Sequence, residues 1–194
     1  MMLRWFVIIL FLNFYQCVFS QVGSVRVQVY SGGNLDFVFN SISDYKTGIT
    51  YTNFTLIGIE VTEPLVGDTY ETWELEVSAD DADADGFLTG TDPANTLPFS
   101  SIEVQATLAA GCPSCNFFGS PFVPLAPDLG IGLNTVLVDG NLLGGVDDIP
   151  PNLAIATDQI NISFRCGVTT SLLGETADYY SDDIFLDIIM CCGP

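Results

Sequence analysis

With 24 acidic and four basic residues and no histidine among its 194 residues, the chain carries a formal net charge of −20. That surplus repels phosphate backbones and anionic lipid surfaces, which excludes nucleic acid and argues against charged membranes, while it suits solubility and cation binding. The missing histidine removes Ser-His-Asp and Cys-His catalysis, His-ligated zinc and the usual general base, and no pair of carboxylates is singled out by spacing for glycoside hydrolysis.

The chain opens Met1-Met2-Leu3-Arg4 and continues with the apolar run Trp5 to Leu12. A basic start followed by an apolar stretch too short to span a bilayer predicts a secretory signal, residues 1–20, cut after Val18-Phe19-Ser20. Lipoprotein anchoring at Cys17 is disfavoured by the bulky Gln16 before it. No later stretch is long and apolar enough for a membrane span. Residues 21–194 are then one secreted domain, extracellular or at the cell surface, with Arg4 lost and the net charge moved to −21.

Alternation of period two runs through this domain. Val25, Val27 and Val29 alternate with polar residues; Leu35, Phe37 and Phe39 repeat the pattern after a Ser31-Gly32-Gly33-Asn34 turn; Ile49 to Val61 is rich in Thr, Ile, Tyr and Phe. Trp73, Leu75 and Val77 oppose Thr72, Glu74 and Glu76, and Ile102 to Leu108, Ile160 to Phe164 and Ile184 to Met190 follow suit. These are strands with one buried and one wet face, as in antiparallel sheets. No window shows a helical stripe. Residues 109–159, punctuated by prolines and glycines, hold short strands near Thr135–Val138 and Leu153–Ala156 among long loops. The expected fold is all-β, a single antiparallel immunoglobulin-like or jelly-roll β-sandwich of about eight strands with long loops.

The sharpest motif is Asp81-Ala82-Asp83-Ala84-Asp85-Gly86-Phe87-Leu88-Thr89-Gly90-Thr91-Asp92. Oxygens at positions one, three and five, glycine at six and an acid at twelve match the calcium loop of EF-hands. The ligand set would be the carboxylates of Asp81, Asp83, Asp85 and Asp92 with the Phe87 carbonyl, and the ion would stiffen a loop that carries no EF helices. Asp92 stands where Glu is usual.

After signal removal five cysteines remain, Cys112, Cys115, Cys166, Cys191 and Cys192, an odd number. In an exported chain these read as disulfide partners, with one left free or linking chains. The Cys112-Pro113-Ser114-Cys115 spacing fits a redox pair only at the start of a helix in a βαβ setting, which is absent here. Adjacent Cys191 and Cys192 do not readily bond each other; one could join Cys166 or the Cys112/Cys115 loop. Asn53-Phe54-Thr55 and Asn161-Ile162-Ser163 match glycosylation acceptors, and exposed Tyr179 and Tyr180 are candidate glycan contacts.

The stretch from Asn34-Leu35-Asp36-Phe37-Val38-Phe39-Asn40 to Gly48-Ile49-Thr50 resembles small secreted all-β surface proteins of the Bacteroidota. Tyr179-Tyr180-Ser181 leading into an alternating strand is similar to the last strand of fimbrial and spore-coat-type sandwiches. The resemblance implies an immunoglobulin-like sandwich and a surface or fibre role. Together these readings predict a non-enzymatic extracellular structural protein, a subunit of a fibre or pilus-like filament that self-associates into a homopolymer or joins other surface proteins. Residues Gln21 to Tyr30 could then pair with a neighbour as an edge strand. The rival reading is a calcium-dependent carbohydrate-binding or adhesive module.

Overall fold

A computed structural model of the protein describes residues 24–62, 70–81, 85–109, 120–130, 133–139, 152–153 and 159–192. The signal segment, Gln21, Asp83, Cys112 and Cys115 lie outside these residues, as do the side chains of Cys191 and Cys192. Among the described residues there is no helix long and apolar enough to cross a membrane.

The fold is an all-β sandwich of antiparallel sheets. In chain order its strands are β1 (Ser24–Ser31), β2 (Ile49–Thr62), β3 (Tyr70–Ala79), β4 (Phe87–Thr89), β5 (Thr96–Pro98), β6 (Ile102–Leu108), β7 (Val123–Pro124), β8 (Thr135–Asp139), β9 (Asn152–Leu153), β10 (Gln159–Cys166) and β11 (Ile184–Cys192). The larger sheet runs β1-β2-β10-β6-β7, with β9 also on β2; the smaller runs β11-β3-β8; β4 and β5 form a separate hairpin. Alternation selects the core. Ile57 and Ile59 of β2, Val104 and Ala106 of β6, and Ile160, Ile162 and Phe164 of β10 meet Leu75 and Val77 of β3 and Leu137 of β8. Each of these side chains larger than Ala106, fully buried, contributes about 1.5–3 kcal/mol relative to exposure.

Three segments depart from the periodicity reading. Residues 32–40 alternate as a strand would, with Leu35, Phe37 and Phe39 half-buried, yet join no ladder. Immediately after them stands a six-residue helix, α1 (Ile42–Thr47). It is too short for an apolar stripe; its sequence signal was the cap. The Ser41 hydroxyl accepts the Asp44 N–H at 3.1 Å, and the Asp44 carboxylate accepts the Ser41 N–H at 3.1 Å. Gly48 ends it at φ +72°, with a would-be Cβ 2.5 Å from the Cys166 carbonyl oxygen, so only glycine fits. The third departure is Glu76, expected on the wet face but only 1% exposed. It sits on the middle strand of its sheet, flanked by Val136 of β8 and Asp187 of β11, and the strand is buried on both faces from Leu75 to Ala79.

Candidate functional site

β1 and β11 are edge strands of the two sheets and lie against each other across the layers. A groove of about 1040 Å³ opens between residues 32–39 and the start of β11. Apolar side chains from both layers line it, among them Leu88, Leu97, Leu125, Leu172, Ile184 and Leu186. One wall is the unladdered segment. Rings anchor it: Phe37 stacks on Tyr51 at 5.3 Å and Phe39 on Tyr45 at 5.3 Å, and Tyr51 leads through Phe54 to Phe164 of the core. The Tyr51 hydroxyl donates to the Asp36 carbonyl at 3.1 Å and the Thr55 hydroxyl to the Gly32 carbonyl at 2.6 Å. Among the described residues, the backbone groups of residues 33–39 make no backbone–backbone hydrogen bond. Among the described residues the segment is therefore shaped like a strand but held by side chains rather than by a ladder.

The groove's rim is acidic, with Asp36, Glu175, Asp178, Asp182 and Asp183 and no lysine or arginine. Burial, and then repulsion from Asp80, Asp183 and Asp81, raises Asp182 above the ordinary carboxylate value despite a hydrogen bond from the Asp183 N–H. Asp178 moves the other way. Its carboxylate accepts the Asn95 amide at 2.9 Å and the backbone N–H groups of Asp92 at 3.0 Å and Tyr179 at 2.7 Å, which lower its pKa. It ties the β4–β5 hairpin tip to the segment that closes one end of the groove.

The loop proposed for calcium is divided by this hairpin. Asp81 accepts the N–H groups of Asp85 at 3.0 Å and Gly86 at 2.9 Å, and Gly86 turns at φ +80°. Phe87 then begins β4, whose extended course carries the chain about 10 Å to the hairpin tip. Asp92 stands at that tip, its carboxylate on the Ala94 N–H at 3.0 Å. Asp81 thus stands at the base of the hairpin and Asp92 at its tip. The carboxylates gathered near Asp81 are its chain neighbour Asp80, just outside the motif, and Asp182 and Asp183, which are distant in sequence and escaped it. Among the described residues, no group of three potential ligands is spaced to hold a metal.

Tyr179 and Tyr180 do not form one platform, because neighbours in extended chain point oppositely. Tyr179 is 67% exposed, whereas Tyr180 packs on the core and donates its hydroxyl to the Thr176 carbonyl at 3.0 Å. Cys166 is a free, buried thiol whose pKa burial pushes up to about 12. Its strand end faces Ile102 and, through the Leu125 and Ala126 contacts, the Ala79–Ile184 end of the smaller sheet. Cys191 lies seven residues further along β11, about 23 Å away, so neither it nor Cys192 can join Cys166, whose partner's Cα would have to lie within about 7 Å. Asn53 is exposed at a bulge in β2 with φ 52°, and Asn161 is half-buried on β10 beside it.

On the outer face of the larger sheet, Glu103 is buried but charged. Burial alone would raise its pKa. Two hydrogen bonds from Arg165 at 2.8 Å each, one from the Thr169 hydroxyl at 3.1 Å and the guanidinium charge together hold it below the ordinary value. Arg165 also stacks over Phe122 at 4.2 Å.

No family model matches the chain, and no curated protein matches it. Among solved structures it is similar to a chain from a chaperone–tip adhesin complex described as vital for synergistic activation of CFA/I fimbriae biogenesis, with a TM-score of 0.43 and 10% identity over 86% of this chain. This chain spans 42% of that chain's length.

Proposed function

We propose that the protein is a non-enzymatic structural component of an extracellular surface fibre, joined by an extended segment of a neighbouring subunit that fills the groove. The observation that carries this reading is the unladdered wall, residues 33–39, beside a large apolar groove. An incoming strand would pair its backbone with that wall and place alternate side chains on the floor, the chemistry of β-augmentation. Residues 24–31 are paired with β2 of their own chain. The reading therefore rests on the groove as the receiving end, and donation of β1 would require that ladder to open. Electron microscopy and sedimentation of purified residues 21–194 across concentration test it. Filaments or oligomers that Val29→Asp abolishes, with the fold intact by circular dichroism, are expected. A monomer at every concentration, which also fails to bind neighbouring subunits from native material, sinks the reading.

A second reading, a calcium-stiffened adhesive module, is favoured by the loop spacing of Asp81, Asp83, Asp85, the Phe87 carbonyl and Asp92. Carboxylates so placed repel until a cation or proton joins them. Melting in millimolar calcium against chelator tests it; an unchanged midpoint removes it.

A further inference from the structure

The charge of this molecule is distributed unevenly between its two sheets. Strands β3, β8 and β11 carry Glu71, Glu74, Glu76, Asp139 and Asp187 and no basic residue. Strands β1, β2, β6 and β10 carry two glutamates and two arginines, and each charge is matched: Arg26 with Glu60 at 2.9 Å, Arg165 with Glu103 at 2.8 Å. The chain's other basic residues are Arg4, in the expected signal segment, and Lys46, in α1. None of the four basic residues lines the groove, whereas Asp36, Glu175, Asp178, Asp182 and Asp183 do.

Of these carboxylates Asp178 is already engaged, holding the hairpin tip. Asp36 belongs to the strand-shaped wall, and Asp182 and Asp183 to the opposite one, just before β11. Burial, and then repulsion from Asp80, Asp183 and Asp81, raises Asp182 above the ordinary carboxylate value, as expected of an acid set among other anions. Between the walls the lining is apolar, with Leu88, Leu97, Leu125 and Leu186. Successive side chains of an extended chain point to opposite sides. A strand laid along residues 33–39 therefore turns every second side chain onto apolar surface and the others toward the acidic rim.

This chain supplies such a strand poorly. β1 has the alternation, but its one cation, Arg26, is paired with Glu60, and donating β1 would cost both that pair and the ladder with β2. A copy also brings a net charge of −20 to a rim that is acidic already. Copies of the chain therefore fill one another's grooves weakly and at high concentration.

We infer that the preferred occupant of the groove is an extended segment of a different protein, its apolar residues alternating with lysine or arginine, and this holds only where the groove receives a strand, as proposed above.

Titration calorimetry of purified residues 21–194 with the peptide Val-Lys-Val-Lys-Val-Lys-Val, and with serine or glutamate in place of lysine, tests the inference. The serine peptide should bind, the lysine peptide about tenfold tighter at low salt through two or three exposed ion pairs, and the glutamate peptide least. A tenfold rise in salt should remove most of the lysine advantage. Combining Asp36→Asn, Asp182→Asn and Asp183→Asn should remove it as well, and Asp36→Asn alone should reduce it about twofold. Glu74→Gln, on β3 and outside the groove, should leave it unchanged. Equal binding of the lysine and serine peptides overturns the inference while the groove's role stands; binding of no peptide removes both. An advantage that survives the triple variant in natively folded protein also overturns it. So does a peptide copying β1, Ser-Val-Arg-Val-Gln-Val-Tyr-Ser, that binds as tightly as the lysine peptide, since the occupant would then be a second copy.

Discussion

Replacing Arg165 with methionine leaves the Glu103 carboxylate, whose side chain is 8% exposed, with Thr169 as its remaining side-chain donor. Breaking a buried pair from one side costs about 3–5 kcal/mol; because Arg165 is itself 24% exposed and water can enter its place, about 2–3 kcal/mol is the expected loss. Losing the stack on Phe122 adds about 0.5 kcal/mol. For a domain of this size that lowers the melting midpoint by about 5–10 °C. The double variant Arg165→Met with Glu103→Leu removes both charges and should return to within about 1 kcal/mol of the original. Acid supplies a second readout. Glu103's pKa is lowered on folding, so its contribution is complete above the ordinary value of 4.5 and disappears as pH falls through the lower folded value. Glu103→Gln should lack that share of the acid loss. Urea unfolding of the four proteins, at neutral pH and in acid, decides the matter. A single variant within 0.5 kcal/mol of the original (about the precision of such cycles), or a double variant as unstable as the single, refutes the reasoning.

Gly32→Ala should destabilise the protein by more than about 1 kcal/mol, since φ is +76° there and the added carbon would strike the Phe54 carbonyl; calorimetry reads it directly. The Cys166 thiol should resist alkylation in the native protein at pH 8 and react on unfolding, because burial holds its pKa near 12. Peptide mapping without reductant should find Cys166 unpaired, and a Cys166–Cys191 or Cys166–Cys192 link would contradict the placement of the two strand ends. Asp178→Ala should release the hairpin tip, seen as faster amide exchange at Asp92 and Asn95. The same release should begin in the unmodified protein as pH falls through Asp178's lowered pKa.

Much of the fold was legible in the sequence, because a half-buried strand must alternate and the alternation at Val25–Val29, Ile102–Ala106 and Ile160–Phe164 is unbroken. The same rule could not say that Leu35, Phe37 and Phe39, which alternate equally well, would pack without pairing. Pairing needs a neighbouring edge, and which edges are free depends on where every other strand goes. Charge behaved likewise. Composition fixed the net −20, yet only the register that sets Arg26 beside Glu60 and Arg165 beside Glu103 made one sheet neutral and left the other acidic. The calcium loop marks the limit of local pattern. Asp81, Gly86 and Asp92 keep motif spacing along the chain, but it is the β4–β5 hairpin that sets Asp81 at its base and Asp92 at its tip. Spacing is a property of sequence; distance belongs to the tertiary structure.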